Sequence, residues 1–367
     1  MKISRIAQVG AVAAIAALAL AGCASNENGG GSPEPTDDAP TTLAGNLVGV
    51  GASAQEVAIQ AWTTGFQVAN PDVTVDYDPA GSGTGREAFQ AGASDFAGSD
   101  RAFRTSEIAD GEFAGCVDGS SIIQLPTYIS PIAVVFNLEG IDSLNLDAAT
   151  IAGIFAGEIT TWDDAAIAES NADVELPATA ITPVHRSDNS GTTENFTDYL
   201  HATSPDVWTF DPHGDWPIDS GEAAQGTSGV VSAVSGGQGT IGYVDASRAG
   251  ELGTVAVQVG DEFVEFTPEA AAAAVEASPF EEGREAGDLA VALDRTTTAA
   301  GVYPIVLISY LIACGEYADS AKVDLLKGFL SHAASAEGQA ESAASAGNAP
   351  ISDGLRQQVQ AAIDSIS

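Results

Sequence analysis

The 367-residue chain is strongly acidic, with 12 Lys and Arg against 51 Asp and Glu and a formal net charge of −39 at pH 7. This charge excludes nucleic-acid binding, because a phosphate backbone would be repelled. The length and a hydrophobic content of 45% allow a substantial core and predict two globular lobes.

The first segments in chain order are an export signal and a tether. Lys2 and Arg5 precede a short, apolar, alanine-rich stretch, which is typical of a secretory signal. Leu-Ala-Gly-Cys follows and resembles the bacterial lipobox, which implies removal of residues 1–22 and a lipid such as palmitate on Cys23. A plain signal peptide with an incidental cysteine is the alternative. The polar, Gly- and Pro-rich residues 23–44 predict a flexible linker.

Strands and helices alternate through the rest of the chain. The predicted strands cover 47–50, 73–77, 96–100, 122–126, 132–136, 181–185, 240–244 and 303–312. The predicted helices cover 55–66, 86–91, 147–155, 163–168, 194–200, 230–234, 269–278, 323–332 and 355–366. This alternation favours an α/β fold with ligand-binding loops at strand ends.

Three loops share one design, in which a strand leads through a turn of small and hydroxyl residues into a helix. They cover 51–53, 81–85 and 190–192. A helix start has N–H groups without intrahelical acceptors and a partial positive charge, so it attracts anions. Arg186 precedes the third loop and adds a planar fork that matches a tetrahedral oxyanion. Together the loops predict a site for a small oxyanion, although an ordinary helix cap is the alternative for any one loop.

Cys116 and Cys314 are the cysteines that remain after the lipobox. An exported protein lies in an oxidising compartment, so we expect a disulfide between them, with two buried free thiols as the alternative. Neither the cysteines nor the four histidines have metal-ligand spacing. We therefore expect neither a metal nor another cofactor.

Seven segments, in order over residues 45–365, carry a family resemblance. They are Gly-Val-Gly-Ala-Ser (49–53), Gly-Ser-Gly-Thr-Gly (81–85), Asp-Phe-Ala-Gly-Ser-Asp (95–100), Ile-Phe-Ala-Gly-Glu-Ile-Thr-Thr-Trp (154–162), Arg-Ser-Asp-Asn-Ser-Gly-Thr-Thr (186–193), Gly-Thr-Ile-Gly-Tyr-Val (239–244) and Tyr-Pro-Ile-Val (303–306). The chain thereby resembles the PstS family, the phosphate-binding lipoproteins of bacterial phosphate ABC transporters.

The resemblance implies an α/β, two-lobed periplasmic-binding-protein type II fold with a ligand cleft between the lobes. Lobe 1 would comprise 45–127 with 305–367, and lobe 2 would comprise 128–304. Two hinge strands, near 126–131 and 303–308, would join them.

The resemblance also assigns phosphate contacts to eight residues. These are Ser53, Ala54, Ser82 and Asp100 in the first lobe and Arg186, Ser190, Gly191 and Thr192 in the second. Asp100 would accept a hydrogen bond from a protonated phosphate oxygen, whereas sulfate at neutral pH has no such proton and would be rejected.

Three positions depart from the family pattern. Ala54 stands where many relatives carry Phe, so only its backbone N–H is expected to bind. Thr84 and Arg86 stand where several relatives have Gly and an apolar residue, respectively. We interpret Arg86 as an outward-facing helix residue, and an added positive charge near the site is the alternative.

The function implied by the resemblance is capture of inorganic phosphate and its delivery to the membrane permease subunits of an ABC transporter. The protein would be a monomer, held by its lipid on the extracytoplasmic side of the cell membrane, and not an enzyme. Binding of sulfate, molybdate or phosphonate is one alternative. An exported phosphatase is a weaker one, because no nucleophile–base pair is recognisable.

Overall fold

A computed structural model of the chain describes residues 43–367. The predicted signal, the lipobox cysteine Cys23 and all but the last two residues of the linker lie outside the described residues. Within the described part of the chain, no helix has both the length and the apolar character needed to cross a membrane.

Eleven strands and eleven α-helices make up the regular structure of residues 43–367. The strands are β1 (Gly45–Gly51), β2 (Val73–Asp78), β3 (Phe96–Ser99), β4 (Ile122–Phe136), β5 (Ser143–Leu146), β6 (Thr182–Arg186), β7 (Glu222–Ala224), β8 (Thr240–Asp245), β9 (Gly253–Val259), β10 (Glu262–Val264) and β11 (Val306–Cys314). The helices are α1 (Glu56–Ala69), α2 (Ser82–Gln90), α3 (Thr105–Asp110), α4 (Ala148–Ala156), α5 (Ala165–Glu169), α6 (Gly191–Thr203), α7 (Gly226–Gly236), α8 (Pro268–Glu276), α9 (Val323–Ala334), α10 (Ala336–Ala346) and α11 (Asp353–Asp364).

The strands form a mixed sheet in the order β2-β1-β3-β11-β4-β8-β6-β7, and β9 links β4 to β5 and β10. Strand β1 pairs in parallel with β2 and β3, and β6 pairs in parallel with β7 and β8. Strand β11 runs antiparallel between β3 and β4. Parallel strands linked through helices confirm the predicted α/β class.

The 15-residue strand β4 pairs with two different neighbours along its length. Its residues 122–131 pair with β11, whereas its residues 132–136 pair with β8. The prediction of two separate strands here is therefore wrong. Pro126 fits within one strand because the pairing with β11 skips the next residue, Thr127, and a bulge of this kind is a place where a strand tolerates proline.

Helices α2 and α6, which adjoin the predicted site, begin earlier than predicted. Helix α2 begins at Ser82 and α6 at Gly191, so the small and hydroxyl residues of these loops form the first helical turns. The hydroxyl of Ser190 accepts a hydrogen bond from the Thr193 N–H at 3.2 Å and caps α6. The N–H groups at the starts of α2 and α6 therefore belong to the anion-attracting end of a helix.

The structure joins Cys116 and Cys314 in a disulfide, as expected for an exported chain. Cys314 ends β11, and Cys116 lies in the segment that precedes β4. The bond closes a loop of 198 residues in sequence and fastens two neighbouring strands of the sheet at one end.

Candidate functional site

The predicted site residues lie at the ends of strands and the starts of helices, and all are buried. The buried set is Ser53, Ala54, Ser82, Asp100, Arg186, Ser190, Gly191 and Thr192. Strands β1 and β3 are parallel neighbours, so the segments that follow them emerge at the same sheet edge. This common edge brings the first loop close to Asp100.

Asp100 is the point at which the second and third loops meet. Its N–H donates to the Ser82 hydroxyl at 3.1 Å, and its Oδ2 accepts from the Thr192 hydroxyl at 3.1 Å. Its Oδ1 accepts from the hydroxyl of Ser309, which lies on β11 opposite the bulge of β4 at Thr127. The carboxyl of Asp100 is only 3% exposed, yet both of its oxygens have donors.

Burial raises the pKa of Asp100, because a carboxylate removed from water loses hydration. Hydrogen bonds from Ser309 and Thr192 oppose this effect, as do the positive charges of Arg186 and Arg86, but burial outweighs them. Asp100 is therefore a carboxyl group whose charge is costly inside the protein and depends on its immediate donors.

Gly191 allows the third loop to approach Asp100 closely. A Cβ atom built on Gly191 would lie 2.6 Å from the Cβ of Asp100 and 2.6 Å from the Ser82 hydroxyl oxygen, closer than real Cβ contacts. Beside this contact, the Gly83 N–H donates to the carbonyl oxygen of Asn189 at 3.1 Å. Backbone without side chains therefore lines the junction of the second and third loops.

The first loop meets the start of α7. The hydroxyl oxygens of Ser53 and Thr227 lie 3.1 Å apart, and the Thr227 N–H donates to the Ser53 hydroxyl at 3.2 Å. Ser53 therefore has a partner from a helix that the sequence analysis did not connect with the site.

The guanidinium of Arg186 is held in place by Asp188. Its Nε donates to Oδ1 of Asp188 at 2.8 Å, and its Nη2 donates to Oδ2. The Gly226 N–H also donates to Oδ1 of Asp188 at 2.9 Å. Burial acts to raise the pKa of Asp188, but the hydrogen bonds and charge of Arg186 lower it overall. Asp188 therefore stays charged and fixes the fork of Arg186.

Arg86 does not face outward, so that interpretation is wrong. It is 6% exposed, and its Nη1 donates to the Ser99 hydroxyl at 2.8 Å. The error follows from the helix start. Because α2 begins at Ser82, Arg86 lies one helical turn after Ser82 and on the same face of α2. That face packs against the end of β3.

Positive charge is concentrated around these loops. Lys2 and Arg5 lie outside the described residues, which leaves ten of the twelve cationic side chains. Six of the ten line the site or two cavities of about 410 and 260 Å³ beside it, namely Arg86, Arg101, Arg104, Arg186, Arg284 and Arg295. Residues 43–367 contain no cluster of three or more His, Cys, Asp or Glu arranged to hold a metal. The three loops offer several hydroxyl and N–H donors and, in Asp100, a buried carboxyl that no arginine of the described chain contacts directly, which suits an oxyanion that carries a proton.

Comparison with known proteins identifies the family. Residues 36–337 match the model described as the PBP superfamily domain. Phosphate-binding protein PstS 3 of Mycobacterium tuberculosis is 33% identical over 377 aligned positions, covering 100% of both chains. Phosphate-binding protein PstS of Methanocaldococcus jannaschii is also 33% identical, over 85% of this chain and 83% of the relative. The chain belongs to the PstS family.

Solved structures confirm the periplasmic-binding-protein fold. The high-affinity periplasmic phosphate-binding protein PfluDING, solved with phosphate bound, is 25% identical with a TM-score of 0.70, over 86% of this chain and 93% of that one. A phosphate-bound protein from Clostridium perfringens has the same fold at 18% identity and a TM-score of 0.60, over 84% of this chain and 100% of that one.

The shared design of strand, small-residue turn and helix start revealed the three loops but not their partners. Ser309 lies in a run that is interpreted above only as an apolar strand, and its being the one serine of that run was the available signal. Thr227 follows Gly226 at a helix start, which repeats the small-residue and hydroxyl design of the three loops. Both residues meet the site through sheet and helix packing over long sequence separations.

Proposed function

We propose that the protein captures inorganic phosphate where its three loops converge and delivers it to the permease subunits of a phosphate ABC transporter. The observation that carries this proposal is the placement of the buried Asp100 carboxyl among helix starts, with the fixed fork of Arg186 in the third of the three loops. Membership of the PstS family supports it, and so do the names of the relatives, which are binding proteins.

The eight buried residues divide the work of holding phosphate in this proposal. Ser53, Ser82, Ser190 and Thr192 supply hydroxyl groups, and Ala54 and Gly191 supply backbone N–H groups near helix starts. Arg186 supplies a charged fork.

Asp100 supplies selectivity in this proposal. An ionised carboxylate can accept more hydrogen bonds than the two made by Ser309 and Thr192, which leaves capacity for a phosphate O–H. A fully deprotonated anion would instead face an unpaired negative charge in a buried site.

We further propose that the cleft lies between lobe 1 (45–127 with 305–367) and lobe 2 (128–304). Under this division, the contacts of Ser53 with Thr227 and of Asp100 with Thr192 run from one lobe to the other. The hinge would lie near 126–131 and 303–308, because the chain crosses the boundary within β4 and just before β11, and these two strands pair with each other. Loop contacts of this kind would be made when the cleft closes on phosphate and broken when it opens.

The proposed setting is the extracytoplasmic side of the cell membrane. Cleavage after residue 22 and lipid attachment to Cys23 would anchor a monomer through the linker, next to its permease. In this role the protein binds and releases phosphate without converting it chemically. Mass spectrometry of the membrane-extracted protein tests the anchor, since an N-terminal peptide lacking a lipid mass on Cys23 would overturn it.

Isothermal titration calorimetry tests the ligand. The chain would be freed of ligand by unfolding and refolding and titrated with phosphate at pH 7, with sulfate and molybdate in separate runs. We expect one phosphate per chain and no heat from the other two anions. Binding of sulfate or molybdate would change the assigned ligand. Silence from all three anions, in protein shown to be folded, would refute oxyanion capture.

Arg186→Ala tests the third loop. A hydrogen bond to a charged group is worth about 1.5–3 kcal/mol, so we expect phosphate affinity to fall at least about tenfold in calorimetry. Arg356→Ala is the matched control, because Arg356 lies on α11 and pairs only with the exposed Asp353. Wild-type affinity in Arg186→Ala would remove this loop from the site.

A further inference from the structure

Arg86 differs from the other arginines of residues 43–367 in having no carboxylate partner. The guanidinium of every other arginine has a carboxylate oxygen within 4.0 Å. These arginines are Arg101, Arg104, Arg186, Arg248, Arg284, Arg295 and Arg356. Arg86 is nevertheless among the most buried of them, and its guanidinium donates to the neutral Ser99 hydroxyl. A buried cation is ordinarily paired, because the loss of its hydration is costly.

The acidic groups closest to Arg86 are engaged by other arginines. Glu194 accepts from Arg101 at 2.7 Å and from Arg104 at 2.6 Å, and Glu107 accepts twice from Arg101, at 2.6 and 2.8 Å. Three arginines therefore share two buried or half-buried glutamates, which leaves one positive charge uncompensated. Burial, assisted by the charge of Arg101, lowers the pKa of Arg86 to about 10, so Arg86 remains protonated at neutral pH.

The position of Arg86 connects this charge with the proposed phosphate site. Ser99, which accepts its hydrogen bond, directly precedes Asp100 in the chain. Ser82, one helical turn earlier on α2, accepts the hydrogen bond of the Asp100 N–H. Arg86 also lines the polar cavity of about 260 Å³ beside the second and third loops, where Glu87 is exposed at the rim. The guanidinium therefore lies against the segment that holds Asp100.

We propose that Arg86 is an affinity- and specificity-determining residue of the phosphate site, whose missing counter-charge is supplied jointly by Asp100 and the bound oxyanion. The inference rests on the proposed function and deepens it. Arg86 acts as a positioning residue through its charge, because its hydrogen bond goes to Ser99, which directly precedes Asp100. Its charge favours ionised Asp100 together with an anionic phosphate.

The pH dependence of binding follows from the groups that face Asp100. Arg186 from β6 and Arg86 from α2 oppose the effect of burial on its pKa, as do the hydroxyls of Ser309 and Thr192. Tyr77 from β2 is also near, since the Asp100 charge contributes, after burial, to its raised pKa. Loss of the Arg86 charge would raise the pKa of Asp100 further. As the solution is acidified, phosphate affinity would then begin to fall at a higher pH than it does in the wild type.

The test compares Arg86→Gln with Arg86→Lys in the full chain. Phosphate titrations from pH 5 to pH 9 give affinity, and thermal unfolding without phosphate gives stability. For Arg86→Gln we expect about tenfold weaker phosphate binding at pH 8. We also expect its phosphate affinity to begin falling at a higher pH than that of the wild type when the solution is acidified. The phosphate-free variant should be at least as stable as the wild type, because a buried, unpaired charge has been removed. Arg86→Lys should retain most of the affinity and the wild-type pH profile.

Arg356→Gln serves as the surface control and should change neither property. Unchanged affinity and an unchanged pH profile in Arg86→Gln would overturn the inference. Weaker binding accompanied by loss of stability without phosphate, and not rescued by Arg86→Lys, would show a structural role and also overturn it. Failure of the wild type to bind phosphate would refute the proposed function itself, which separates the two conclusions.

Discussion

The carboxyl group of Asp100 is both buried and surrounded by hydrogen-bonding hydroxyl groups. Its side chain is shielded from water, but Ser309, Thr192 and Ser82 surround it with hydroxyl groups. In the proposed site, a carboxyl in this setting would discriminate between anions by whether they bring a proton, rather than by their size.

Asp100→Asn tests this discrimination. The amide can donate to a deprotonated oxygen, so we expect phosphate to bind at least about tenfold more weakly and sulfate to bind measurably. Calorimetry with both anions gives the ratio of their affinities. If both anions behave as they do with the wild type, Asp100 is not in contact with the ligand.

Gly191→Ala tests the close approach of the third loop. The added methyl group would meet the Cβ of Asp100 and the Ser82 hydroxyl oxygen at 2.6 Å each, so the loop contacts must open. We expect phosphate affinity to fall by about a hundredfold, on the scale of a lost charged hydrogen bond. Gly354→Ala on α11 is the matched control, because its added Cβ would meet nothing within 4 Å. Equal affinities of the two variants would contradict the observed approach.

At the residue scale, the sequence pattern indicated which residues of one loop would be buried together at a helix start, but not the contacts between loops. Arg186, Ser190 and Gly191 are readable because strand, turn and helix start follow one another in the chain. Ser309 and Thr227 reach the site from distant segments, and no local pattern reports such a meeting. Arg86 was misplaced because the helix start was set four residues too late.

At the scale of the elements, strand pairing places a second buried carboxyl group, that of Asp245, where β4 changes its pairing from β11 to β8. Asp245 ends β8 opposite Ile132, the first β4 residue that pairs with β8. Its Oδ1 accepts from the Tyr128 hydroxyl at 2.9 Å, and burial raises the pKa of Asp245 to about 6. The carboxyl is fully buried and forms no ion pair within 4.0 Å among the described residues.

This raised pKa predicts that Asp245 favours folding at low pH. The stabilising contribution is fully present below the unfolded pKa, near 3.9, and is lost as the pH rises through about 6. Asp245→Asn should therefore be more stable than the wild type at pH 7.5, by up to roughly 3 kcal/mol, and similar to it near pH 4. Urea unfolding at both pH values measures the difference. A constant difference between the two proteins would contradict the raised pKa.

Element types were largely predictable, whereas boundaries and several small elements were not. Apolar runs bounded by turn residues gave β1, β6 and β8, because a buried parallel strand has a strong local pattern. Proline suggested a break in β4, but the bulge at Thr127, next to Pro126, allows the strand to continue. Helix α10, with the sequence AEGQAESAASA, was missed because its packing depends on partners rather than on an apolar stripe.

On the scale of the whole molecule, a net charge of −39 coexists with a local concentration of arginine. Short-range donors and buried arginines act within a few ångströms, whereas the acidic surface acts over distances that salt screens. Affinity is thus set locally, and the total charge governs chiefly how fast an anion arrives.

The disulfide gives a prediction at the same scale. Cys116→Ser with Cys314→Ser removes a link that closes a 198-residue loop, so we expect a loss of about 2–4 kcal/mol in unfolding free energy. Neither cysteine contacts a proposed phosphate residue through the hydrogen bonds described above, so phosphate affinity at 25 °C should be retained. Urea unfolding and calorimetry measure the two properties. An unchanged free energy of unfolding would show that the disulfide restricts neither the folded nor the unfolded chain.

The continuity of β4 has a mechanical consequence. In the proposed opening of the cleft, β4 cannot serve as a slack loop, because its residues 122–131 pair with β11 and its residues 132–136 pair with β8. Opening would then have to bend or twist a continuous strand, and the skipped residue Thr127 is the point at which the pairing with β11 is interrupted. Ser309, one of the two residues whose hydroxyls donate to the Asp100 carboxyl, pairs beside this interruption, so a rotation there would displace a donor of Asp100.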